Sequence, residues 1–210
     1  MSDVKLYGFP QSTYVRTARL ALAEKGVAYE LAPVQLGSEA LRAVHPFGKI
    51  PAFADGDFTV YETSAICRYV DEAFEGPALQ PADAQGRAVM EQWISALNGY
   101  YDTDMIRHVV LERVLAPLRG RAPDEARIAD ALPRLAVEMT VLDARLGESA
   151  CLAGDAVSIA DFFLVPMLAY FRDTPEGQEA LAGRSHIARW WEAMAARPSF
   201  AATTPPPRNG

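Results

Sequence analysis

In Tyr7-Gly8-Phe9-Pro10-Gln11-Ser12-Thr13 a serine stands where a short apolar run hands over to a helical one. A hydroxyl at the first turn of a helix can donate to an anion held beside it, and the positive helix end favours a thiolate over a thiol. Ser12 is the first candidate for that role; Thr13, next to it, and the phenol of Tyr7, at the end of the strand, are the alternatives. The blander use of Ser12 is to cap the helix. A second handover occurs at Tyr61-Glu62-Thr63-Ser64. The first N–H groups of the following helix, with the Thr63 and Ser64 hydroxyls, make an anion site. Glu62, an acceptor only, suits a cation there. Plain capping by Thr63 or Ser64 is compatible with that use. Lys49, just before Ile50-Pro51, is a further candidate binding residue, although most lysines are simply solvated.

These residues need a scaffold, and the first 75 or so supply a mixed one. Lys5-Leu6-Tyr7 reads as a strand, and Thr13 to about Lys25 as a helix with Val15, Ala18 and Leu22 on one face and Gly26 as its stop. Ala28 to Leu36 reads as a second strand and Ser38 to Val44 as a short helix. Pro51–Ala54 and Phe58–Tyr61 flank Asp55-Gly56-Asp57, a hairpin signal. Thr63 to Phe74 closes the series as a helix, giving β-α-β-α-β-β-α. Gly76 to Pro81 reads as a linker, and beyond it the pattern is helical throughout. Gln85 to about Leu115 forms one long stretch. A second starts at Asp124, with Ile128, Leu132, Leu135, Met139, Leu142 and Leu146 as a core-facing stripe. Ser158 and Asp161 form an acidic capping box, and a last helix carries Ile187, Trp190, Trp191 and Met194. The tail from Thr204 to Gly210 reads as loose. The domains predicted are 1–77 and 84–203.

With 210 residues, half of them hydrophobic and 22% charged, the chain holds ample material for packed cores. A formal charge of −7 disfavours nucleic acid and anionic membrane as partners. Any anionic ligand must then be held by local features against the overall field. The start shows no secretory pattern and no apolar run is long enough to span a bilayer. Cys67 and Cys151 suit neither a disulfide framework nor a metal site, so a reducing cytoplasm and a metal-free protein are expected.

Four stretches together resemble the cytosolic glutathione transferases: Gly8-Phe9-Pro10-Gln11-Ser12-Thr13, Pro46-Phe47-Gly48-Lys49-Ile50-Pro51-Ala52, Tyr61-Glu62-Thr63-Ser64-Ala65-Ile66 and Ser158-Ile159-Ala160-Asp161. The likeness spans about residues 4 to 200 and is nearest to the serine-type, phi/theta-like members of the bacterial kind. It implies an α/β thioredoxin-like first domain and an all-α second one. It also implies glutathione as co-substrate, a small hydrophobic electrophile and a homodimer. By the same resemblance Ile50-Pro51 is a cis peptide whose backbone pairs with the tripeptide. Glu62, Thr63 and Ser64 then hold the γ-glutamyl end, Lys49 the glycyl carboxylate, and Ser12 (or Tyr7) the thiolate. The active serine of such members lies four residues after a glycine like Gly8, which Ser12 matches. No cysteine occupies that turn, against the cysteine-type members and CxxC redox enzymes. The loop before Pro46 is shorter than in serine-type plant members, with Arg42 and His45 as uncertain replacements for its basic residues, so the class stays open.

The electrophile is expected against the middle of the long helix, where Tyr101, Met105 and His108 line a pocket closed by Phe9 and Phe200. Phe47 is either local core or an aromatic key for a partner subunit. Two further functions stay open: a glutathione-dependent isomerase or thiol-transfer enzyme on the same fold, and a non-catalytic glutathione or ligand binder.

Overall fold

A computed structural model of the chain describes residues 3–206. Contacts divide the described residues into two compact units, 3–80 with 195–206, and 81–194.

The first unit is built on a four-stranded sheet in the order β2-β1-β3-β4. Its strands are β1 (Val4–Tyr7), β2 (Glu30–Ala32), β3 (Ala52–Asp55) and β4 (Phe58–Tyr61). β1 pairs parallel with β2 and antiparallel with β3, and β3 pairs antiparallel with β4. Val4 and Leu6 are buried on either side of exposed Lys5, while Ala52, Phe53 and Ala54 are buried in sequence, as an alternating and a fully covered strand require. Gly56-Asp57 closes the hairpin in two residues, since Asp55 pairs with Phe58. Gly56 sits at φ 56°, a left-handed conformation that this turn demands. The second strand is shorter than the sequence reading, three residues in place of nine.

Helices α1 (Thr13–Glu24) and α3 (Thr63–Ala73) pack on each other; α2 (Glu39–Val44) is a short connector. α1 ends in a Schellman motif: Val27 N–H donates to Leu22 and Gly26 N–H to Ala23, with Gly26 at φ 67°. The linker is tied down. The Lys25 ammonium, nearly buried, meets Asp71 at 3.2 Å and donates to the Pro77 carbonyl, and Leu79 N–H donates to Asp71.

One element crosses the boundary expected from the sequence. α10 (Pro198–Thr203), read as part of the helical half, packs on α1 in the first unit. The Arg16 guanidinium lies over the Phe200 ring at 4.6 Å and donates to Thr204 Oγ1 at 3.2 Å. Thr204 is therefore anchored and not loose; Pro207 to Gly210 lie outside the described residues.

The second unit is helical: α4 (Ala84–Ala96), a π-helix (Leu97–Leu115), α5 (Ala116–Leu118), α6 (Glu125–Glu148), α7 (Ile159–Phe171), α8 (Pro175–Leu181) and α9 (Ser185–Ala195). α7 is buried from Ile159 to Leu168, so it forms the core on which the π-helix, α4 and α8 pack. Its first turn holds the predicted capping box. Buried Asp161 accepts from Ser158 N–H, Ser158 Oγ, Leu152 N–H and the Trp190 indole at 2.9 to 3.0 Å. On α6 the predicted stripe holds with one exception. Leu132 is 42% exposed, and Ala131 takes its place in the core. Pro133 lies inside α6 and removes the N–H that Ala129 would otherwise bind.

Candidate active site

The register of the sheet gathers the candidate residues. Tyr7 pairs with Ala52, and Ala52 with Tyr61. The end of β1, the start of β3 and the end of β4 therefore lie side by side in a row about 10 Å wide at ordinary strand spacing. From that row issue the β1–α1 turn with Ser12, the segment Lys49-Ile50-Pro51, and the junction Glu62-Thr63-Ser64. α1 and α3 both begin there. Neither carries an acidic residue in its first turn, whereas α2, α6, α7 and α8 carry Glu39, Glu125, Asp161 and Glu176. Two helix N-termini without an acidic residue in the first turn thus begin from neighbouring strand ends, in a chain whose overall charge is negative. Such helix ends can attract an anion.

Each segment has its own geometry. Ser12 is the N-cap of α1, half-buried, its Oγ accepting from Val15 N–H at 3.4 Å while its own N–H donates to Phe9. The cap uses an oxygen lone pair, so the hydroxyl hydrogen stays available to a second partner. Capping and donation to a ligand are thus compatible in one side chain. Thr13 is buried, and its carbonyl accepts from Thr17 Oγ1. Tyr7 closes β1 with its side chain half-buried. Phe9 borders the turn and is exposed.

The Ile50–Pro51 bond is cis. The Ile50 N–H and C=O make no hydrogen bond to another described residue, so a peptide edge stands unused beside β3. Glu62 is the non-glycine residue at positive φ (70°) among the described residues, a conformation costing about 1–3 kcal/mol. It caps α3 without a side-chain bond, leaving its carboxylate for another group. Thr63 is buried and Ser64 half-buried at the first two positions of α3. Lys49 is exposed with no carboxylate partner among the described residues.

The residues expected to form the electrophile pocket fare differently. Met105 is fully buried in the helical core and so cannot line an open pocket. Tyr101 is buried with its hydroxyl donating to the Glu138 carbonyl at 2.8 Å, and His108 Nδ1 sits 3.0 Å from Asp104. The cause is the winding. In the π-helix the bonds span five residues, Ala116 N–H reaching Leu111, so the buried face advances more slowly than a 3.6-residue period predicts.

The helical unit does contain an apolar cavity of about 520 Å³, lined by Trp93, Ala96, Tyr100, Pro133, Val137 and Val141, with Tyr101, Asp104, Arg134 and Glu138 on its wall. Sequence reasoning missed it, although exposed Tyr100, Val137 and Val141 mark it: two valines four apart on the polar side of an amphipathic helix. No helix among the described residues is long and apolar enough to cross a membrane, and no group of three or more His, Cys, Asp or Glu is placed to hold a metal.

The family model "Glutathione S-transferase, N-terminal domain" matches residues 6–78, and "Glutathione S-transferase, C-terminal domain" matches residues 104–198. Glutathione S-transferase 3 of Zea mays is 37% identical, covering 99% of this chain and 98% of its own. Glutathione S-transferase F9 of Arabidopsis thaliana is 33% identical over 95% of each. Among solved structures, glutathione S-transferase III in its apo form superposes with a TM-score of 0.88 at 35% identity, covering 98% and 99% of the two chains. Glutathione S-transferase I from maize, in complex with an atrazine glutathione conjugate, superposes at 0.86 with 28% identity over 96% of each.

Proposed function

Because the chain belongs to the glutathione S-transferase family, we propose that it conjugates the thiolate of glutathione to an apolar electrophile, with Ser12 stabilising that thiolate. The observation that carries this is the row Tyr7–Ala52–Tyr61, which sets the Ser12 turn, the free Ile50 backbone and the Glu62–Ser64 junction along one sheet edge. Glutathione is an extended peptide with a zwitterionic γ-glutamyl end, a thiol and a glycyl carboxylate. Its backbone pairs with Ile50 ahead of Pro51, as an added strand does. The α-carboxylate meets the N-terminus of α3 with Thr63 and Ser64, Glu62 takes the ammonium, and Lys49 the far carboxylate.

The sulfur then lies at the start of α1. A thiol titrating near 8.5 is about 3% ionised at pH 7, and lowering that value by about two units makes most of it thiolate. The shift needs roughly 2.7 kcal/mol, within reach of one charge-assisted hydrogen bond and a helix terminus. The thiol proton passes to solvent, the sulfur pair forms the new carbon–sulfur bond, and the leaving group, where there is one, departs with its electrons. Ser12 is never the nucleophile. Phe9, exposed on the same turn, borders the place the electrophile must reach.

We place the enzyme in the cytoplasm, in line with its buried Cys67 and Cys151, which form no disulfide. We further infer a homodimer in which Phe47 is the key. Its ring is 69% exposed yet held between the edges of His45 and Tyr61, each at 6.1 Å.

Turnover of a chromogenic aryl halide with glutathione tests the assignment. Ser12→Ala should lower kcat by about ten- to a thousandfold with glutathione retention intact. Unchanged turnover in Ser12→Ala, with loss in Tyr7→Phe or Thr13→Ala, would move the role to that hydroxyl. Binding without turnover on any electrophile would make the protein a binder.

A further inference from the structure

A smaller depression of about 140 Å³ lies in the helical unit, where the π-helix runs into α5 and α6 begins. Four of its lining residues are arginines, Arg107, Arg119, Arg121 and Arg127, and one is a carboxylate, Glu112. The unit that carries it holds seventeen acidic against eleven basic residues. Positive charge gathered at one place on an acidic body needs a local cause.

The cluster is assembled from three segments. Glu112, on the π-helix, is buried. Its carboxylate accepts from Arg121 Nη2 at 3.2 Å, from Arg127 Nη1 at 3.3 Å and from the Asp124 N–H at 3.1 Å. One buried carboxylate therefore fixes two guanidinium heads side by side, Arg121 from the turn after α5 and Arg127 from the first turn of α6. That turn folds back on α5, the Arg121 N–H donating to Ala116, and Arg119 stands on the same rim. Arg107, earlier on the π-helix, is held by Asp102 at 2.6 Å.

Four guanidiniums thus face two carboxylates, Glu112 and Asp102, which leaves two positive charges over. Asp124 caps α6 and Glu125 binds Arg113, and neither lines the depression. Donors are left over as well. Each guanidinium carries five N–H groups. Arg121 and Arg127 each spend one nitrogen on Glu112, and the Arg119 side chain spends none on any described residue. Two like charges drawn to one carboxylate repel each other. An anion on their outer side relieves that repulsion and takes up the idle donors.

The group that fits is a phosphate. As a monoester it carries about −1.5 to −2 charges at neutral pH, which matches the surplus, and its oxygens accept guanidinium forks in pairs. The volume falls below the roughly 300–1,000 Å³ of pockets that enclose a whole ligand. A head group therefore enters, and the rest of the molecule stays outside. A polyanion fits badly, because the acidic unit around the depression repels a nucleic acid strand or an anionic membrane. We propose that Arg119, Arg121 and Arg127, with Arg107 at the edge, form a binding site for the phosphate group of a small phosphate ester or of inorganic phosphate. Bound there, it joins from outside the three segments that Glu112 ties from within.

Calorimetric titration of the full chain with inorganic phosphate, at an ionic strength held constant with sodium chloride, tests this. Binding should saturate at one site per chain, with a dissociation constant of about 0.1–1 mM. Phenyl phosphate separates the two sources. Binding as tight as that of the free ion or tighter assigns the site to esters, weaker binding assigns it to the ion, and either supports a phosphate site. Arg119→Gln should weaken binding by about ten- to a hundredfold. It should leave the melting temperature without phosphate unchanged, since the Arg119 side chain holds nothing in the fold. Arg172→Gln removes the same charge at an exposed arginine that lies over the Trp191 ring, outside the depression, and should leave binding as it is.

The helix ends of the first unit also attract anions, so the titration is repeated with glutathione at saturating concentration. Phosphate that ignores Arg119→Gln, whether or not glutathione displaces it, sits elsewhere and overturns the proposal. Heat that follows concentration without saturating does the same, as does an equal loss in Arg172→Gln, which reports overall charge only. A short DNA duplex that binds more tightly than phosphate would make the cluster a polyanion surface and overturn the small-phosphate site.

Discussion

Arg197 holds Glu24 with two parallel hydrogen bonds of 2.8 and 2.6 Å, joining the start of α10 to the end of α1 across 173 positions of sequence. Ser199 adds its hydroxyl to the same carboxylate. Burial raises the Glu24 carboxyl, but the bonds from Arg197 and Ser199 and the guanidinium charge outweigh it and hold it below the ordinary carboxylate value. A carboxyl depressed on folding stabilises the native state above its unfolded value, near 4.5, and that contribution is lost as pH falls through the folded value.

Arg197→Ala should therefore cost about 1–2 kcal/mol at neutral pH, discounted because the guanidinium is a third exposed. The stability difference from the unaltered protein should shrink as pH drops below about 4.5. Urea denaturation at neutral and acid pH reads both effects; an equal difference at the two would refute the linkage.

Glu62 separates stability from binding. Glu62→Gly should relieve the left-handed backbone and raise stability by about 1 kcal/mol while weakening glutathione binding. Glu62→Gln keeps the strain, removes the charge, and should raise KM for glutathione by roughly ten- to a hundredfold with little change in thermal stability. A KM unmoved in both variants would remove Glu62 from the ammonium site.

Asp161 satisfies four donors at the core of the helical unit, one of them the Trp190 indole on α9. Asp161→Ala leaves all four unpaired and should destabilise the chain by about 3–5 kcal/mol. Asp161→Asn, which turns one acceptor atom into a donor, should fall between. Denaturant midpoints order the three proteins.

Much of the first unit was legible because its signals are local. Gly26 ends α1, Asp55-Gly56-Asp57 turns the hairpin, and Ser12 and Ser158 cap their helices where expected. The Ile50-Pro51 cis bond was legible only through resemblance. What escaped the sequence depends on partners distant in the chain or on winding. Nothing near Pro198 signals that α10 returns to α1, since Arg197 finds Glu24 only in the folded chain. The pocket expected at Tyr101, Met105 and His108 presumes an ordinary α-helix, whereas the backbone from Leu97 to Leu115 is wound more widely and Met105 is sealed in the core. The Asp104–Arg134 pair joins two helices, and no spacing within either one announces it.

The return of α10 gives the first unit a second chain segment, some 115 residues beyond its last strand-bearing stretch. During synthesis on a ribosome, the sheet and α1 emerge early, but the Arg16 and Glu24 side chains wait for Phe200 and Arg197, which follow only after the whole helical unit has been made. The nascent glutathione-binding half is thus held incomplete until α10 is made, with the α10-facing side of α1 bare to chaperones or to neighbouring nascent chains in the meantime.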